Sequence, residues 1–225
     1  MFIGHFAVGF ASKRYAPQTS LGTLIAAAVL LDLLWPIFVL LGWEQVQITA
    51  GDTAFTPLQF VSYPISHSLA AAIGWATLLT LPYYIFRRYA RGAALIWIAV
   101  VSHWVLDFIT HRADLPLYPN GLRVGLGLWN SVLATVLLEA SIFAVTIWIY
   151  VRVTRANDRV GRWGLWSFVV AVSTLYVANI FSPPPPGVKP MAIAAIVLSW
   201  LLIFWAWWLD RHRQVRSLGK LSKDK

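Results

Sequence analysis

Cysteine is absent from this sequence, and methionine occurs only twice. Without thiols there is no disulfide framework and no thiolate metal site, so any metal must be held by histidine, aspartate or glutamate. Charge is scarce as well. Only 12% of residues are Asp, Glu, Lys or Arg, against about a quarter in a soluble domain. Acid is the scarcer sign, with 9 acidic side chains against 18 basic ones. In a soluble protein the resulting net charge of +9 would point to nucleic acid. Here the basic residues sit in short stretches beside apolar runs, which makes them an orientation signal and leaves no nucleic-acid partner expected.

What fills the chain is apolar. Hydrophobic residues make up 59% of it and tryptophan alone contributes 13; mean hydropathy is +0.66. Apolar blocks recur along almost the whole length, so the expectation is an all-α, polytopic transmembrane bundle forming a single domain over residues 1–210. The tryptophans suit belts at the two membrane interfaces. The basic pair Lys13-Arg14 follows the apolar stretch of residues 2–10 instead of preceding it, so no cleaved signal peptide is expected.

Residues 1–14 hold too few apolar positions to cross a bilayer and read as a half-helix packed into the bundle. Six spans follow, at 21–41, 61–86, 92–111, 124–151, 163–182 and 190–209. Pro36 lies four residues after Asp32 and removes the donor for its carbonyl, so a kink is expected there. Pro183 to Pro186 form a rigid linker. Residues 211–225 read as a basic, disordered tail. Lys13-Arg14, the 87–91 loop, the 152–162 loop and the tail fall on one side of this arrangement. The positive-inside rule makes that side cytoplasmic, with both chain ends on it.

Ionisable residues inside the spans are few, and each is expensive in hydrocarbon. The most informative stretch is Ser102-His103-Trp104-Val105-Leu106-Asp107-Phe108-Ile109-Thr110-His111. Positions four apart share one helix face, so His103, Asp107 and His111 form a column. His103 and Asp107 can reach one divalent metal at about 2.0–2.2 Å. His111 lies roughly 12 Å along the axis from His103, and fits a second ion or the substrate better. Asp32, His67 and Glu139 lie in other spans, and His5 in the half-helix. Rises of about 1.5 Å per residue let most of this set meet in the outer half of the bilayer, with Glu139 deepest. The spans after 163 carry no acid or histidine until Asp210 and read as scaffold.

Gly4-His5-Phe6-Ala7-Val8-Gly9, Leu31-Asp32, Ser66-His67-Ser68, Ser102-His103 with Leu106-Asp107, and Thr110-His111 occur in that order. This series resembles the bacterial inner-membrane metal-dependent hydrolase-like family of the LexA-regulated type. That family is similar to zinc-dependent phospholipase C in the order of its ligands. The resemblance covers about residues 1–150, and Glu139 stands where such proteins often carry a glutamate. Two departures are visible: a second acid is missing after Asp32, where Leu33-Leu34 stand, and Tyr63-Pro64-Ile65 replaces the usual Arg-Gly pair.

The resemblance implies a membrane-embedded hydrolase using zinc, or another divalent metal, on a phosphoester of a lipid or lipid-linked molecule. His5, Asp32, His67, His103 and Asp107 would bind metal. Glu139 would act as general base or further ligand, and His111 would protonate the leaving group or hold a second ion. Arg112 and Arg123 would pair with the phosphate. The competing readings are a divalent-metal or proton transporter, which intramembrane His and carboxylates also build, and a metal-stabilised scaffold without turnover.

Overall fold

The computed structural model of the chain describes residues 1–216. It is an all-α bundle, with nine helices, two small β-hairpins and one further two-stranded sheet among the described residues. Five helices are long and apolar enough to cross a membrane, and a bent pair of helices meets the same measure when taken together, for up to six spans. The spans are α5 (Leu69–Arg87), α6 (Ala90–Thr110), α7 (Val132–Val153), α8 (Arg159–Phe181) and α9 (Val188–Arg211), with α2 (Leu21–Ala28) and α3 (Leu30–Leu40) as the bent pair. Leucines, valines and tryptophans such as Leu133, Leu137, Trp148, Trp166 and Val170 are exposed on their outer faces, as lipid requires.

Short polar residues start these helices where their first N–H groups need acceptors. Ser20 caps α2 at Thr23 N (3.1 Å), Ser68 caps α5 at Ala71 N (3.1 Å), and Asp158 caps α8 at Gly161 N (2.7 Å). The half-helix α1 (Ile3–Ser12) is 10 residues long and buried between α2, α6 and α7. Its fit depends on small residues, since close backbone approach replaces hydrophobic drive inside a membrane. A Cβ on Gly9 would lie 3.0 Å from Ile25 Cα, and one on Gly22 would lie 2.9 Å from Trp207 Cα. The charge-rich end of the bundle carries Arg152 over Trp148 and Arg211 over Trp207, at 5.4 and 4.9 Å from the ring centroids.

Three expectations need correction. The first span does break, by 55°, but at Val29 and not beside Pro36, which is accommodated inside α3. The second span starts at Leu69, because residues 58–62 form strand β2 (Leu58–Ser62), paired antiparallel with β1 (Gln45–Ile48). His67 therefore closes a separate turn, α4 (Pro64–His67), ahead of the span. The tail is not disordered from residue 211. Arg211 ends α9, and β6 (Arg213–Val215) pairs with β5 (Thr154–Ala156), where the Arg213 guanidinium reaches Gly161 O at 2.7 Å and Thr154 Oγ1 at 2.9 Å. The remainder of the expected basic tail, 217–225, lies outside the described residues.

The other loops on the β1–β2 side hold a second hairpin, β3 (Leu115–Pro116) with β4 (Arg123–Val124), and a 3-10 turn at Leu128–Asn130. These segments cover the end of the bundle where α3 and α6 finish and α5 and α7 begin.

Candidate metal centre

The five residues expected as ligands converge. His5 comes from α1, Asp32 from the first turn of α3, His67 from α4, and His103 and Asp107 from successive turns of α6. Their donor atoms form two overlapping triads, His5–His103–Asp107 and Asp32–His67–His103, each within 4.8 Å. Asp107 spans both sides. Its Oδ1 lies 3.1 Å from His5 Nε2, and its Oδ2 lies 3.2 Å from His103 Nε2 and 3.7 Å from His67 Nε2. Asp32 Oδ1 lies 3.5 Å from His67 Nε2 and 3.6 Å from His103 Nε2.

The direction of the imidazoles follows from what holds their other nitrogens. His103 Nδ1 is 2.8 Å from the carbonyl of Ala28, the last residue of α2. A carbonyl only accepts, so Nδ1 carries the proton. His67 Nδ1 is 2.7 Å from Ser66 Oγ, whose own proton goes to Glu44 Oε2 at 2.6 Å. Ser66 must then accept from His67, and Nδ1 again carries the proton. In their neutral forms both rings turn an Nε2 lone pair toward the same two carboxylates. Such lone pairs and the carboxylate oxygens could together ligate one cation. Three of the four Nε2–O separations, at 3.5–3.7 Å, exceed the roughly 2.7–3.2 Å of an N–H···O bond. They lie near the edge of about 3.3–3.5 Å expected for a tetrahedron with zinc–ligand bonds of about 2.0–2.2 Å. The donor set thus fits a divalent ion, and no exposed carboxylate cluster is involved: all but Asp32 are buried.

The α-amino group of Met1 also ion-pairs with Asp107 Oδ1. The His5 and His103 rings stack with centroids 3.6 Å apart and planes within 5°, a placement that two cationic rings would resist.

Glu139 and His111 fall outside both triads. Glu139 Oε2 accepts from the backbone of Phe2 (2.9 Å) and Gly4 (3.1 Å). The half-helix has no side-chain cap of its own, so this carboxylate from α7 takes up its first N–H groups. The geometry makes Glu139 an anchor for the helix bearing His5 through Oε2, while its Oε1 is buried without a hydrogen-bond partner. His111 ends α6, and its Nδ1 lies 3.0 Å from Asp114 Oδ1 and 3.2 Å from Tyr63 Oη. Tyr63 donates to the same Asp114 oxygen at 2.9 Å. Burial alone would raise the Asp114 carboxyl, but the bonds from His111, Tyr63 and Arg112 outweigh it and hold it below the usual carboxylate range. Burial, reinforced by Asp114, pushes the Tyr63 phenol well above its ordinary value. Arg112 pairs with Asp52 (2.9 Å) and Asp114 (3.3 Å).

A chamber of about 140 Å³ lies against Asp32, His67, Asp107 and His111, roofed by Phe55, Phe60 and Trp129. It adjoins a larger apolar cavity of about 660 Å³ between α3, α8 and α9. The two share Asp32, Trp35, Thr56 and Asn179 in their walls. The last two spans thus wall the space in front of Asp32.

Several contributors escaped the sequence reading: Glu44, Ser66, Tyr63, Asp114 and Asn179. Glu44 had one signal, being an acid in a loop (42–60) without any Lys or Arg to pair with. It is 2% exposed and accepts from Ile65 N, Ser66 N and Ser66 Oγ. No family model, curated protein or solved structure matches this chain.

Proposed function

We propose that this chain is a membrane-embedded metal-dependent hydrolase, with zinc or a similar divalent ion at His5, Asp32, His67, His103 and Asp107, cleaving a phosphoester of a lipid. One observation carries the proposal: two imidazoles with fixed tautomers aim Nε2 at the same two carboxylates inside a bundle where unpaired charge is costly. A divalent ion held there supplies Lewis acidity toward water and toward a phosphoryl oxygen. The ordered motifs from Gly4-His5 to Thr110-His111, with their resemblance to inner-membrane metal-dependent hydrolases, support the hydrolase class.

The chain's own residues have separable tasks. Asp107 and Asp32 supply negative charge for the ion, and Ser66 and the Ala28 carbonyl hold the tautomers of His67 and His103. Glu139 seats the half-helix bearing His5. His111, backed by the Asp114 carboxylate, is placed to hand a proton to the leaving oxygen. Phe55, Phe60 and Trp129 exclude bulk water. No Lys or Arg lines the chamber among the described residues, where the Met1 α-amino group supplies the positive charge, and a bound ion would add to it in pairing with the phosphate.

A transporter is the weaker reading. Away from the site the bundle is filled by Phe10, Leu21, Ile25, Leu165 and Phe168, each fully buried in one apolar cluster. Ion transport needs a polar path onward through that half. Orientation belongs to the proposal as well: the basic loops place the far end in the cytoplasm and the site in the outer half of a bacterial inner membrane.

Metal analysis of purified protein, paired with phosphate release from a panel of lipid phosphoesters, tests the function. Wild type should hold metal and turn over at least one lipid, while His103→Ala and Asp107→Ala should do neither. Metal-free wild type, or turnover unaffected by Asp107→Ala, would end the proposal.

A further inference from the structure

The cavity between α8 and α9 has one apolar body and one polar end. Leu175, Met191, Leu198 and Leu202 line the body, and Asp32, Asn179 and Thr56 stand where it meets the metal chamber. Its volume of about 660 Å³ lies within the roughly 300–1,000 Å³ of sites that enclose small molecules. Asp32 is the one proposed ligand with a substantially exposed side chain, at 41%, and the cavity is what exposes it.

The cavity reaches the flank of the bundle as well as its loop end, where Pro57, Pro183, Pro185 and Pro186 line it. Ala178 and Asn179 on α8 and Ala194 and Leu198 on α9 are all exposed on the flank of the bundle. Small residues usually draw membrane helices together. Here α9 packs chiefly on α2 and α3, and the small side chains of Ala178, Ser182, Ala194, Ala195 and Ser199 leave a gap toward α8. Asn179 is out of place on a purely lipid-facing helix surface, since an amide without a partner is costly in hydrocarbon. Its position in the walls of both spaces gives it a partner to meet: the polar end of whatever fills the cavity.

We infer that this cavity holds a hydrocarbon tail of the substrate, which slides in sideways from the bilayer while its phosphorylated end reaches Asn179 and the chamber at Asp32. The inference rests on the lipid phosphoester reading above and adds the place and route of the tail. A tail gains little by leaving lipid for a protein wall of equal apolarity. The cavity therefore governs admission of the tail, and the ion and Asn179 supply the hold on the head. An open polar funnel from the aqueous side would carry no such requirement.

The test uses the full chain in lipid nanodiscs with hexadecyl phosphate bearing a mid-chain diazirine. After illumination, labelled residues should concentrate on Ala194, Ala195, Leu198 and Leu202. Labelling there should fall severalfold with excess unlabelled hexadecyl phosphate, and severalfold in Ala195→Trp, with metal content unchanged. Where Ala195→Trp loses its metal, the milder Ser199→Leu serves the same comparison. Metal-loaded protein labelled evenly over its outer face, or mainly in the α7–α8 groove at Trp148 and Trp166, overturns the inference and leaves the hydrolase reading standing. Wild type that binds no metal but is still labelled competitively in the cavity overturns that reading and leaves the tail compartment standing.

Discussion

Glu44 and His67 are joined through one hydroxyl: Ser66 Oγ lies 2.6 Å from Glu44 Oε2 and 2.7 Å from His67 Nδ1. The hydroxyl has one proton, and a carboxylate takes it in preference to an imidazole nitrogen that can itself donate. The loop carboxylate thereby fixes which nitrogen of His67 faces the metal chamber. Groups that orient a metal-bound histidine typically contribute about 10–100-fold to metal affinity. Ser66→Ala should weaken metal binding by about that factor while leaving helix content unchanged. Chelator competition on the purified protein reads the affinity, and circular dichroism reads the helices. Unchanged affinity would show that His67 needs no such support.

Glu139 separates anchoring from ligation. Its bonded oxygen receives two backbone N–H groups from the start of α1, and a glutamine carbonyl can receive them equally well. Glu139→Gln should therefore retain metal nearly as wild type does, whereas Asp107→Asn should lose it. Glu139→Ala should fall between, because α1 then carries two unpaired N–H groups that cost about 1–3 kcal/mol each when buried. Metal stoichiometry across the three variants decides the matter. Loss of metal in Glu139→Gln equal to that in Asp107→Asn would make Glu139 a ligand.

How much of this was legible in the sequence differs from residue to residue. His103 and Asp107 announce themselves by helical spacing in an apolar span, and Asp32 by its cost in one, whereas His67 lies in a turn ahead of its span. The structure brings His5 beside them. The break at Val29 was not legible, since no proline or glycine marks it; the bend accompanies the seating of the Ala28 carbonyl on His103, a tertiary contact. Glu44 immediately precedes a hairpin whose folding back over α4 depends on strand pairing across nine intervening residues, which local pattern does not carry. The α8–α9 cavity was hidden for a different reason. An apolar wall facing a cavity and an apolar wall facing lipid have the same composition.

The segregation of basic residues makes a topological prediction. Tyr118 in the β3–β4 turn and Gly187 before α9 lie at the metal-chamber end, and Asn157 beside α8 lies at the other. The chain has no cysteine, so single cysteines introduced at these positions report without background. Tyr118→Cys and Gly187→Cys should react with a membrane-impermeant maleimide added to intact cells, and Asn157→Cys only after permeabilisation. The opposite pattern would put the site in the cytoplasmic half.

At the far end of the bundle, acid should loosen the start of α8. Asp158 Oδ1 caps Gly161 N and its Oδ2 lies 2.7 Å from His212 Nδ1. The bond from His212, then that from Gly161, holds the carboxyl below its ordinary value. A depressed carboxyl stabilises the fold fully above its unfolded pKa, near 3.9, and that contribution drains as pH falls through the lower folded value. Hydrogen exchange at Gly161 should accelerate selectively in that acid window, and Asp158→Ala should show the faster exchange at neutral pH. Equal acid sensitivity in wild type and Asp158→Ala would remove Asp158 as the cause.

The last prediction separates proton transfer from metal binding. His111 touches Asp114 and Tyr63 but belongs to neither ligand triad. If it delivers the proton to the leaving group, its loss should spare the metal and slow turnover by about 10²–10⁴-fold, the usual contribution of a positioned acid. His111→Gln should therefore hold metal at wild-type stoichiometry and show that loss in kcat. Asp114→Asn keeps an oxygen acceptor that orients the imidazole through Nδ1, so it should give a smaller loss of the same kind. Substrates with a good leaving group need no proton, and on a nitrophenyl phosphoester both variants should approach wild type. Metal loss in His111→Gln would instead place His111 among the ligands. An equal deficit on both kinds of substrate would deny it the role of acid.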